Sequence, residues 1–534
     1  MRGLRITIIT VFVSAVWLMM LGQVEPKPAG GAQSSPPSSA PSKAEPKKSP
    51  GVALVDKGSY AEALPLLESE LKTAPQSRDL LYAKVEALAG LGRFIEARSF
   101  AMQTMFSHPD WQEFRYQAGE CSWNLGQAQQ AIQAWTPLFP DPDWGGLAMA
   151  RASRALRAMG REDDARRLVL DAVAKQEKPA PILLNEALDL DRTGPGCLKL
   201  IDKLIASDPD SKDDYQNLRK LYASIGDGKL MDSSLSASLP ATIPLKERSE
   251  SQEFAALGMG GYNSMTNTFS IDTSTSVVAP VSINGGGKEW MVLDSGSTVF
   301  MVSPAIAKSN NLEPVATAQY IGLGVRGTRP SNWVVLKTLS VGPLTLKNVP
   351  AIVIDKQTDF WKTTAGIIPM AALRDYGILY DRRHGKLTLY PPKTPAESAL
   401  GENPLKIPTL WVFNRPYFFV KVNETPNVFG MLDTGADRTM VDAEKAKIFG
   451  VKINVKYGSR TFTGMSGSFL TGVANDTAIY MGPAKFTMGT VQVTKLGSGN
   501  GLSYSVIVGR DILDLFNIYF DYQGGICAFK GYDH

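Results

Sequence analysis

The feature that most constrains the fold is an internal duplication in the C-terminal half of the chain. Residues 290–303 and 430–442 each place an apolar strand before an Asp-Ser/Thr-Gly tripeptide and a second apolar run after it. Later landmarks recur at a nearly constant offset, because residues 366–369 correspond to residues 506–509 and two pairs of glycines repeat in the same way. We therefore predict two copies of one small β lobe, at residues 253–395 and 396–534.

The duplicated tripeptides begin at Asp294 and Asp433. A single tripeptide of this kind is most simply a turn headed by Asp, with a glycine that tolerates unusual backbone angles. Two tripeptides at matching positions instead favour one site built from both copies. After the second apolar run, Ser303 with Pro304 in the first copy and Asp442 in the second have the pattern of helix N-caps.

The two segments resemble the aspartic proteases, and specifically the retropepsin-like group, over about residues 269–530. In the second copy, the run from Asp433 to Asp437 together with the run from Ile507 to Asp511 is similar to the retroviral form. The resemblance implies an all-β double lobe of the pepsin/retropepsin fold, in which Asp294 and Asp433 share a proton and activate a water. It implies hydrolysis of peptide bonds without a metal or a cofactor, and no dimerisation to complete the site.

The resemblance also assigns supporting residues. It implies that Ser295 and Thr434 hydrogen-bond across the interface and that backbone amides near the two glycines point at the carboxylates. The dyad support is Ser295, Gly296, Ser297, Thr434, Gly435 and Ala436; the expected flap and brace residues on the substrate side are Gly324, Gly327, Gly464, Gly467, Asp437 and Arg510.

The two copies differ in ways that leave the activity open. The first copy has Thr298 and Met370 where the second has the expected brace, and Pro369 where the family motif has Gly. Because Pro fixes φ and lacks an N–H, the loop beneath Asp294 is expected to lie differently. The hydroxyl of Ser297 is a further hypothesis for biasing the shared proton. The alternatives are a catalytically inactive lobe pair that binds an extended peptide by strand addition, and a scaffold that works through its repeats.

A second, shorter period occupies the N-terminal half. Glycines recur every 34 residues, each followed five residues later by an alanine; the pairs are Gly58 and Ala63, Gly92 and Ala97, Gly126 and Ala131, and Gly160 and Ala165. This period resembles the tetratricopeptide repeat, which implies stacked helical hairpins. We predict an all-α solenoid over residues 51–228, with a degenerate fifth or sixth repeat beyond Gly194. It is either a groove for a protein partner or a rigid spacer.

The N-terminus has the layout of an export signal. Arg2 and Arg5 precede an apolar run at residues 6–21, so residues 1–22 are predicted to be a cleaved signal peptide or a retained anchor that tethers the chain to a membrane. Residues 23–50 form a Pro/Ser-rich linker, expected to be disordered, and residues 229–252 are predicted to be a second linker. The expected location is the periplasm of a bacterium, free or membrane-anchored.

Composition excludes several other classes of protein. The formal net charge of +4 gives no reason to expect nucleic acid as a partner. The three histidines and three cysteines lie far apart, so neither a zinc site nor a disulfide framework is predicted. Residues 322–327 fit a dinucleotide-binding pattern, but no helix pattern follows them, and the matching glycines of the second copy explain them better.

Overall fold

The computed structural model describes residues 49–249, 261–263, 268–270, 275–320, 329–354, 364–453, 460–464, 467–496 and 502–532. The chain divides into two compact units, one containing residues 24–155 and 501–503, the other residues 156–500 and 504–534. The expected export signal and nearly all of the Pro/Ser-rich linker lie outside the described residues. Within the described part, no helix has both the length and the apolar character needed to span a bilayer.

The N-terminal region is entirely helical. Its helices are α1 (Pro50–Asp56), α2 (Tyr60–Thr73), α3 (Arg78–Gly90), α4 (Phe94–Ser107), α5 (Gln112–Asn124), α6 (Ala128–Trp135), α7 (Gly145–Ala158), α8 (Glu162–Lys175), α9 (Pro181–Asp191), α10 (Gly194–Ser207) and α11 (Lys212–Ser224). Helices α1 to α6 belong to the first unit, α8 to α11 to the second, and α7 spans the boundary.

The 34-residue period is confirmed as a period of helical hairpins. All four periodic glycines have positive φ, between 73° and 75°, and each joins two consecutive helices. This backbone region is the one in which glycine carries no steric penalty. All four periodic alanines are fully buried, as close packing of the helix pair requires. Gly194 departs from the series: it begins α10, and Arg192 takes the positive φ of 57° before it.

The C-terminal region is rich in β-strands. Its strands are β1 (Asp232–Leu235), β2 (Ala241–Pro244), β3 (Lys246–Ser249), β4 (Gly261–Asn263), β5 (Thr268–Ser270), β6 (Thr275–Ile283), β7 (Lys288–Asp294), β8 (Phe300–Val302), β9 (Ala316–Tyr320), β10 (Arg329–Val341), β11 (Leu344–Ile354), β12 (Gly366–Pro369), β13 (Gly377–Asp381), β14 (Lys386–Tyr390), β15 (Leu405–Pro408), β16 (Leu410–Val412), β17 (Arg415–Val422), β18 (Val428–Leu432), β19 (Met440–Asp442), β20 (Arg460–Gly464), β21 (Gly467–Met481), β22 (Ala484–Thr494), β23 (Tyr504–Val508), β24 (Phe516–Asp521) and β25 (Ile526–Gly531). Among the described residues of this region, three short α-helices accompany the strands: α12 (Pro304–Ser309), α13 (Ala396–Leu400) and α14 (Arg510–Leu513).

The sheet topology confirms the duplication. Among the described strands, the first lobe has the order β1-β11-β8-β12-β7-β6-β10-β9, and the second has β16-β17-β18-β23-β19-β22-β21-β20. The central parallel pair is β7 with β12 in one lobe and β18 with β23 in the other. Their registers correspond, because Met291 faces Gly366 in the first pair and Gly430 faces Val506 in the second. Each lobe therefore repeats one arrangement of strands around its Asp-Ser/Thr-Gly loop.

A third sheet joins the lobes. Its order among the described strands is β15-β25-β24-β13-β14-β2, with β13 of the first lobe paired antiparallel to β24 of the second. Apolar side chains of this sheet and of both lobes form one continuous buried cluster. Because backbone hydrogen bonds cross from lobe to lobe at β13 and β24, the positions of the two lobes are coupled near the middle of the second unit.

The structure corrects two local predictions. The segment expected to be a linker forms β1, β2 and β3, which pair with β11, β14 and β6. These are short strands whose partners are not their neighbours in chain order. Ser303 caps α12 as predicted, accepting from the Ile306 N–H at 3.2 Å, whereas Asp442 accepts from the Glu444 N–H at 3.0 Å in a turn and not at the start of a helix.

Candidate active site

The two tripeptides follow buried strands that end at the same place in each lobe. Asp294 is the last residue of β7, and Asp433 follows the last residue of β18. Val508 of the neighbouring parallel strand accepts a hydrogen bond from the Asp433 N–H at 3.0 Å. The residues that end the two strands, 291–293 and 429–432, are buried, as is typical of a sheet covered on both faces, so the acidic side chain that follows them has a fixed position.

The two loops are locked together by crosswise hydrogen bonds. The Ser295 N–H donates to Thr434 Oγ1 at 3.0 Å, and the Thr434 N–H donates to Ser295 Oγ at 2.9 Å. Each hydroxyl also donates across the interface, Ser295 to the Leu432 carbonyl at 2.9 Å and Thr434 to the Leu293 carbonyl at 3.2 Å. Both side chains are almost fully buried. These four bonds fix the loops relative to one another, as the resemblance implied.

Each carboxylate is held by two amides of its own loop. Asp294 Oδ1 accepts from the N–H groups of Gly296 at 2.7 Å and Ser297 at 3.0 Å. In the second copy, Asp433 Oδ1 accepts from Gly435 at 2.8 Å and from Ala436 at 3.2 Å. Two backbone N–H groups therefore hold one oxygen of each carboxylate in place.

The glycines of the two loops let the carboxylates approach each other. A Cβ placed on Gly296 would lie 2.5 Å from the carboxylate carbon of Asp433, and one on Gly435 would lie 2.7 Å from that of Asp294. Both distances are shorter than carbon atoms tolerate, so any larger residue would separate the acidic side chains. The structure thus brings together Asp294, Asp433 and their six predicted support residues.

The electrostatics of the pair are unequal. Burial, the negative charge of Asp433 and the hydrogen bond that Asp294 donates to it raise the pKa of Asp294 well above its ordinary range. Burial also raises the pKa of Asp433, but the same hydrogen bond, the amides of Gly435 and Ala436 and the charge of Arg415 all oppose that increase. The two carboxyls therefore titrate as one coupled pair that shares a proton, and the charge of Arg415 favours the ionised form of Asp433.

Sequence reasoning missed Arg415, which the structure brings near Asp433. It begins β17, the strand paired with β18, and is only 7% exposed. Its guanidinium carbon lies 5.7 Å from the ring centre of Tyr417. The first copy has Ser276 at the equivalent place. The only signal was a cationic residue directly before an apolar run, and strand pairing was needed to relate it to Asp433.

The loop under the first carboxylate differs from its counterpart as expected, but the carboxylate keeps its donors. In the second copy, Gly509 lies against the backbone of Arg438, where any Cβ would overlap the carbonyl carbon. In the first copy, Pro369 faces Asp294 in the strand register and lines a small cavity of about 30 Å³ with Thr298 and Val299. The two copies therefore differ in the residue packed beneath the loop, Pro369 or Gly509, while Asp294 keeps both of its amide donors.

The second loop is tied to α14 by polar contacts. Asp511 accepts from the Thr439 hydroxyl at 2.6 Å and from the Thr439 N–H at 2.9 Å. The N–H of Arg510 donates to the Ala436 carbonyl at 2.9 Å, and the Arg510 side chain is buried. Asp437 is half-buried beside Ala436, and the expected bracing of Asp437 by Arg510 stays a prediction. In the first copy, Ser297 Oγ donates to the Val299 carbonyl at 3.0 Å instead.

Two of the four expected flap glycines lie at a described hairpin. Gly464 and Gly467 face each other as the last cross-strand pair of β20 and β21. The corresponding hairpin of the first lobe joins β9 to β10, and the last described pair there is Tyr320 with Arg329. Gly324 and Gly327 lie outside the described residues.

Comparisons with known proteins give one family match, which lies in the C-terminal region. Residues 279–372, which contain Asp294, match a family model described as aspartyl protease. No curated protein matches the chain in sequence. An aspartic proteinase from Irpex lacteus is 12% identical, covers 55% of this chain and 97% of its own length, and gives a TM-score of 0.34. A thermophilic tetratricopeptide-repeat protein from Thermus thermophilus is 21% identical over 33% of this chain and 94% of its own, with a TM-score of 0.25.

Proposed function

We propose that this chain is an aspartic endopeptidase in which Asp294 and Asp433 activate a water for attack on a peptide bond. The C-terminal region is aspartyl-protease-like in sequence, since residues 279–372 match that family model. The observation that carries it is the pair of crosslinked loops, in which each acidic side chain is held by two amides and faces the other across two glycines. Carboxyls placed in this way share one proton.

We assign the roles from the charge of Arg415, which favours the ionised form of Asp433. The ionised Asp433 takes a proton from the water while the water oxygen bonds to the scissile carbonyl carbon. At the same time, Asp294 donates its proton to the carbonyl oxygen. The tetrahedral intermediate then breaks its C–N bond, and the proton held by Asp433 passes to the leaving amine. A hydroxyl proton of the intermediate returns to Asp294, so the pair ends as it began. No covalent intermediate is formed with the protein.

The proposed subtype is retropepsin-like, with both lobes in one chain. The run from Asp433 to Asp437 and the short lobes support it. Since both acidic residues come from one polypeptide, the site is complete without a second copy. The hairpins β9–β10 and β20–β21 are proposed to close over an extended substrate and exclude water.

The test is cleavage of a mixed peptide library between pH 3 and 7 by the wild type, Asp294→Asn and Asp433→Asn. We expect each substitution to lower turnover by on the order of 10²–10⁴, the usual contribution of a positioned acid or base. Circular dichroism of both variants controls for folding. Absence of turnover by a folded wild type at every pH would contradict the proposal and favour a peptide-binding protein without catalysis.

The roles of the remaining segments are proposals from sequence. The helical hairpins are proposed to hold a protein partner, either a substrate or a regulator, and the N-terminal segment to export the chain to the periplasm. Co-purification of partners with the full chain, compared with a variant that begins at residue 145, tests the first role. Fractionation of cells that express the full chain tests the second.

A further inference from the structure

A cluster of buried charges in the helical region lies beside the first acidic loop. Arg157 Nη1 donates to Glu186 Oε1 at 3.1 Å and to Asp189 Oδ2 at 3.4 Å. The side chains of Glu186 and Asp189 are 0% and 2% exposed, and that of Arg157 is 12% exposed. All three residues belong to the second unit, as the lobes do. They are called the Arg157 cluster below.

The cluster and the first acidic loop line the same small cavity. Arg157 and Asp189 form one part of its wall, and Thr298, Val299 and Pro369 form another. The cavity has a volume of about 30 Å³, which would hold about two water molecules at most. The two parts of the wall are therefore near neighbours, and in a densely packed interior a change in one part alters the packing of the other.

The loop residues in this wall are tied to a donor that holds Asp294. Thr298 directly follows Ser297, whose N–H donates to Asp294 Oδ1 at 3.0 Å. Ser297 Oγ donates to the Val299 carbonyl at 3.0 Å, and this bond closes the turn. Because the turn is closed, the position of Val299 in the cavity wall affects where the Ser297 N–H points.

The second acidic loop is supported from within its own lobe. The Arg510 N–H donates to the Ala436 carbonyl at 2.9 Å, and the Arg510 side chain is 5% exposed. At the equivalent position the first copy has Met370, whose side chain has no charge and donates no hydrogen bond. A buried cationic side chain is nevertheless present beside the first loop, because Arg157 of α7 lines its cavity.

A buried ion pair of this kind contributes geometry more than stability. Burial opposes the charge of Arg157, but Glu186 and Asp189 outweigh it and raise the pKa of Arg157. Replacing a buried ion pair by uncharged residues of similar volume is often neutral or stabilising. Charge-assisted hydrogen bonds do, however, fix donor and acceptor in one arrangement. The cluster therefore holds α7 and α9 in a defined position at the cavity wall.

We propose that the Arg157 cluster positions the first acidic loop and, through the Ser297 N–H, the carboxylate of Asp294. It is the counterpart, supplied from outside the duplication, of the support that Arg510 gives the second loop. The three residues of the cluster are positioning residues, which act through the loop and take no part in the chemistry. The expected effect on turnover rests on the proposed function, whereas the expected effect on the loop does not.

The test compares uncharged variants of the full chain. The cluster variant combines Arg157→Met, Glu186→Gln and Asp189→Asn, so that no buried charge loses its partner. Asp189→Asn alone is the milder variant, which keeps the bond between Arg157 and Glu186. The control variant combines Arg151→Met and Glu120→Gln, and so removes another ion pair formed by α7, whose residues do not line this cavity. Circular dichroism and thermal unfolding verify the folding of each.

Hydrogen–deuterium exchange measures the two acidic loops directly. In the cluster variant, we expect the amides of residues 297–300 to exchange about tenfold faster, equivalent to about 1.4 kcal/mol of easier local opening. Residues 436–439, the matching part of the second loop, should exchange as in the wild type. The control variant should leave both loops unchanged. Asp189→Asn should give the same change to a smaller extent, and it replaces the cluster variant if that variant does not fold.

Turnover of the mixed peptide library is the second measurement. The Ser297 N–H lowers the pKa of Asp294, so a weaker hold raises that pKa further, while Asp433 and the Gly296 amide act on it as before. The acidic pair then keeps its shared proton to a higher pH. We expect the basic limb of kcat/KM to move to higher pH, and kcat to fall by about tenfold with little change in KM.

The two measurements separate this inference from the proposed function. Unchanged exchange of residues 297–300 in the folded variants would overturn the inference, whether or not the wild type cleaves peptides. An active wild type whose basic limb does not move in these variants would overturn it as well. Faster exchange at the first loop alone, with no turnover by the wild type, would support the positioning role and contradict the proposed function.

Discussion

At the scale of single residues, two chemically identical carboxyls become different through their surroundings. The loops supply each with the same pair of amides, so the difference comes from outside the duplicated motif. Arg415 is cationic and buried near Asp433, and the first copy has Ser276 in its place. A charge on the neighbouring strand thus helps to decide which member of the pair ionises.

Replacing Arg415 by Gln is expected to move the acid limb of the pH profile. Without the guanidinium, the pKa of Asp433 rises, so Asp433 becomes protonated at a higher pH as the solution is acidified. We expect kcat/KM on the acid side to fall by about threefold or more, which corresponds to about 0.7 kcal/mol. Lys421→Gln, on the same strand but paired with Glu424 at the surface, is the control. Coincident profiles for the Arg415 variant and the wild type would refute this assignment.

A second residue-scale prediction concerns Glu86 on α3. Burial and the charge of Asp56 raise the pKa of Glu86 to about 7. Because this pKa is raised, the stability that Glu86 contributes is fully present below its ordinary pKa of about 4.3 and is lost as the pH rises through 7. We expect Glu86→Gln to stabilise the first unit at pH 8 by on the order of 1 kcal/mol and to change little at pH 4.

Chemical denaturation followed by far-ultraviolet circular dichroism at the two pH values checks the Glu86 prediction. Glu62→Gln, an exposed change on α2, is the matched control and should have the same small effect at both. A Glu86→Gln variant that is less stable than the wild type at pH 8 would show that the ionised carboxylate is satisfied in the folded protein.

At the scale of elements, the two copies keep the same strand order but differ in the residue that packs beneath each acidic loop. Gly509 fits under the second loop because it has no Cβ, whereas Pro369 occupies the same register position beside a small cavity. The same strand order therefore tolerates two kinds of residue, provided that the loop above each is packed accordingly.

Substitutions of Gly509 and Pro369 should lower the stability of the protein by unequal amounts. Gly509→Ala introduces a Cβ that overlaps the Arg438 backbone, so we expect a loss of about 1–3 kcal/mol, as for overpacking elsewhere, together with lower activity. Pro369→Gly should cost only about 0.4–1 kcal/mol, through the greater freedom of the unfolded chain. Urea denaturation and peptide turnover measure both effects. Equal losses for the two variants would mean that both loops depend on their supports to the same degree.

Elements could be predicted from the sequence when the interactions that determine them lie within one short segment of the chain. The turn glycines and buried alanines of the helical hairpins were predictable, because sterics within a single hairpin determine them. The correspondence of residues 366–369 with residues 506–509 was predictable from the duplication alone. Strands β1 to β3 were missed, because an edge strand is defined by a partner far along the chain. The position of Arg415 was missed because it depends on the register in which β17 pairs with β18, and Asp442 was misassigned because a capping residue also suits a turn.

At the scale of the whole molecule, the boundary between compact units does not coincide with the change from helices to strands. Helices α8 to α11 belong to the same unit as the lobes. Two contacts illustrate this: Gly160 lies against the carbonyls of Tyr522 and Gln523, and Glu162 is an ion-pair partner of Arg374. The last helical hairpins are therefore expected to contribute to the stability of the lobes.

Two truncations test this expectation. A variant that begins at residue 145, the start of α7, should keep its activity on a generic peptide within about twofold, because the second unit stays whole. A variant that begins at residue 229 removes Glu162 and leaves Arg374 partly unpaired, which should cost about 1–3 kcal/mol or more. Thermal unfolding and peptide turnover of both variants measure the difference. If the two truncated variants were equally stable, helices α7 to α11 would not belong to the folding unit of the lobes.

The two lobes belong to one chain and pair through β13 and β24, and this affects which substitutions the protein can accept. In a symmetric dimer, every substitution appears twice on the two sides of the axis, and dilution separates the halves. Here the halves remain joined at any concentration, and a substitution alters one side alone. Arg415 on one side and Pro369 on the other are such unilateral changes. Fusion therefore removes symmetry as a constraint, and each half is free to specialise in one part of a shared task.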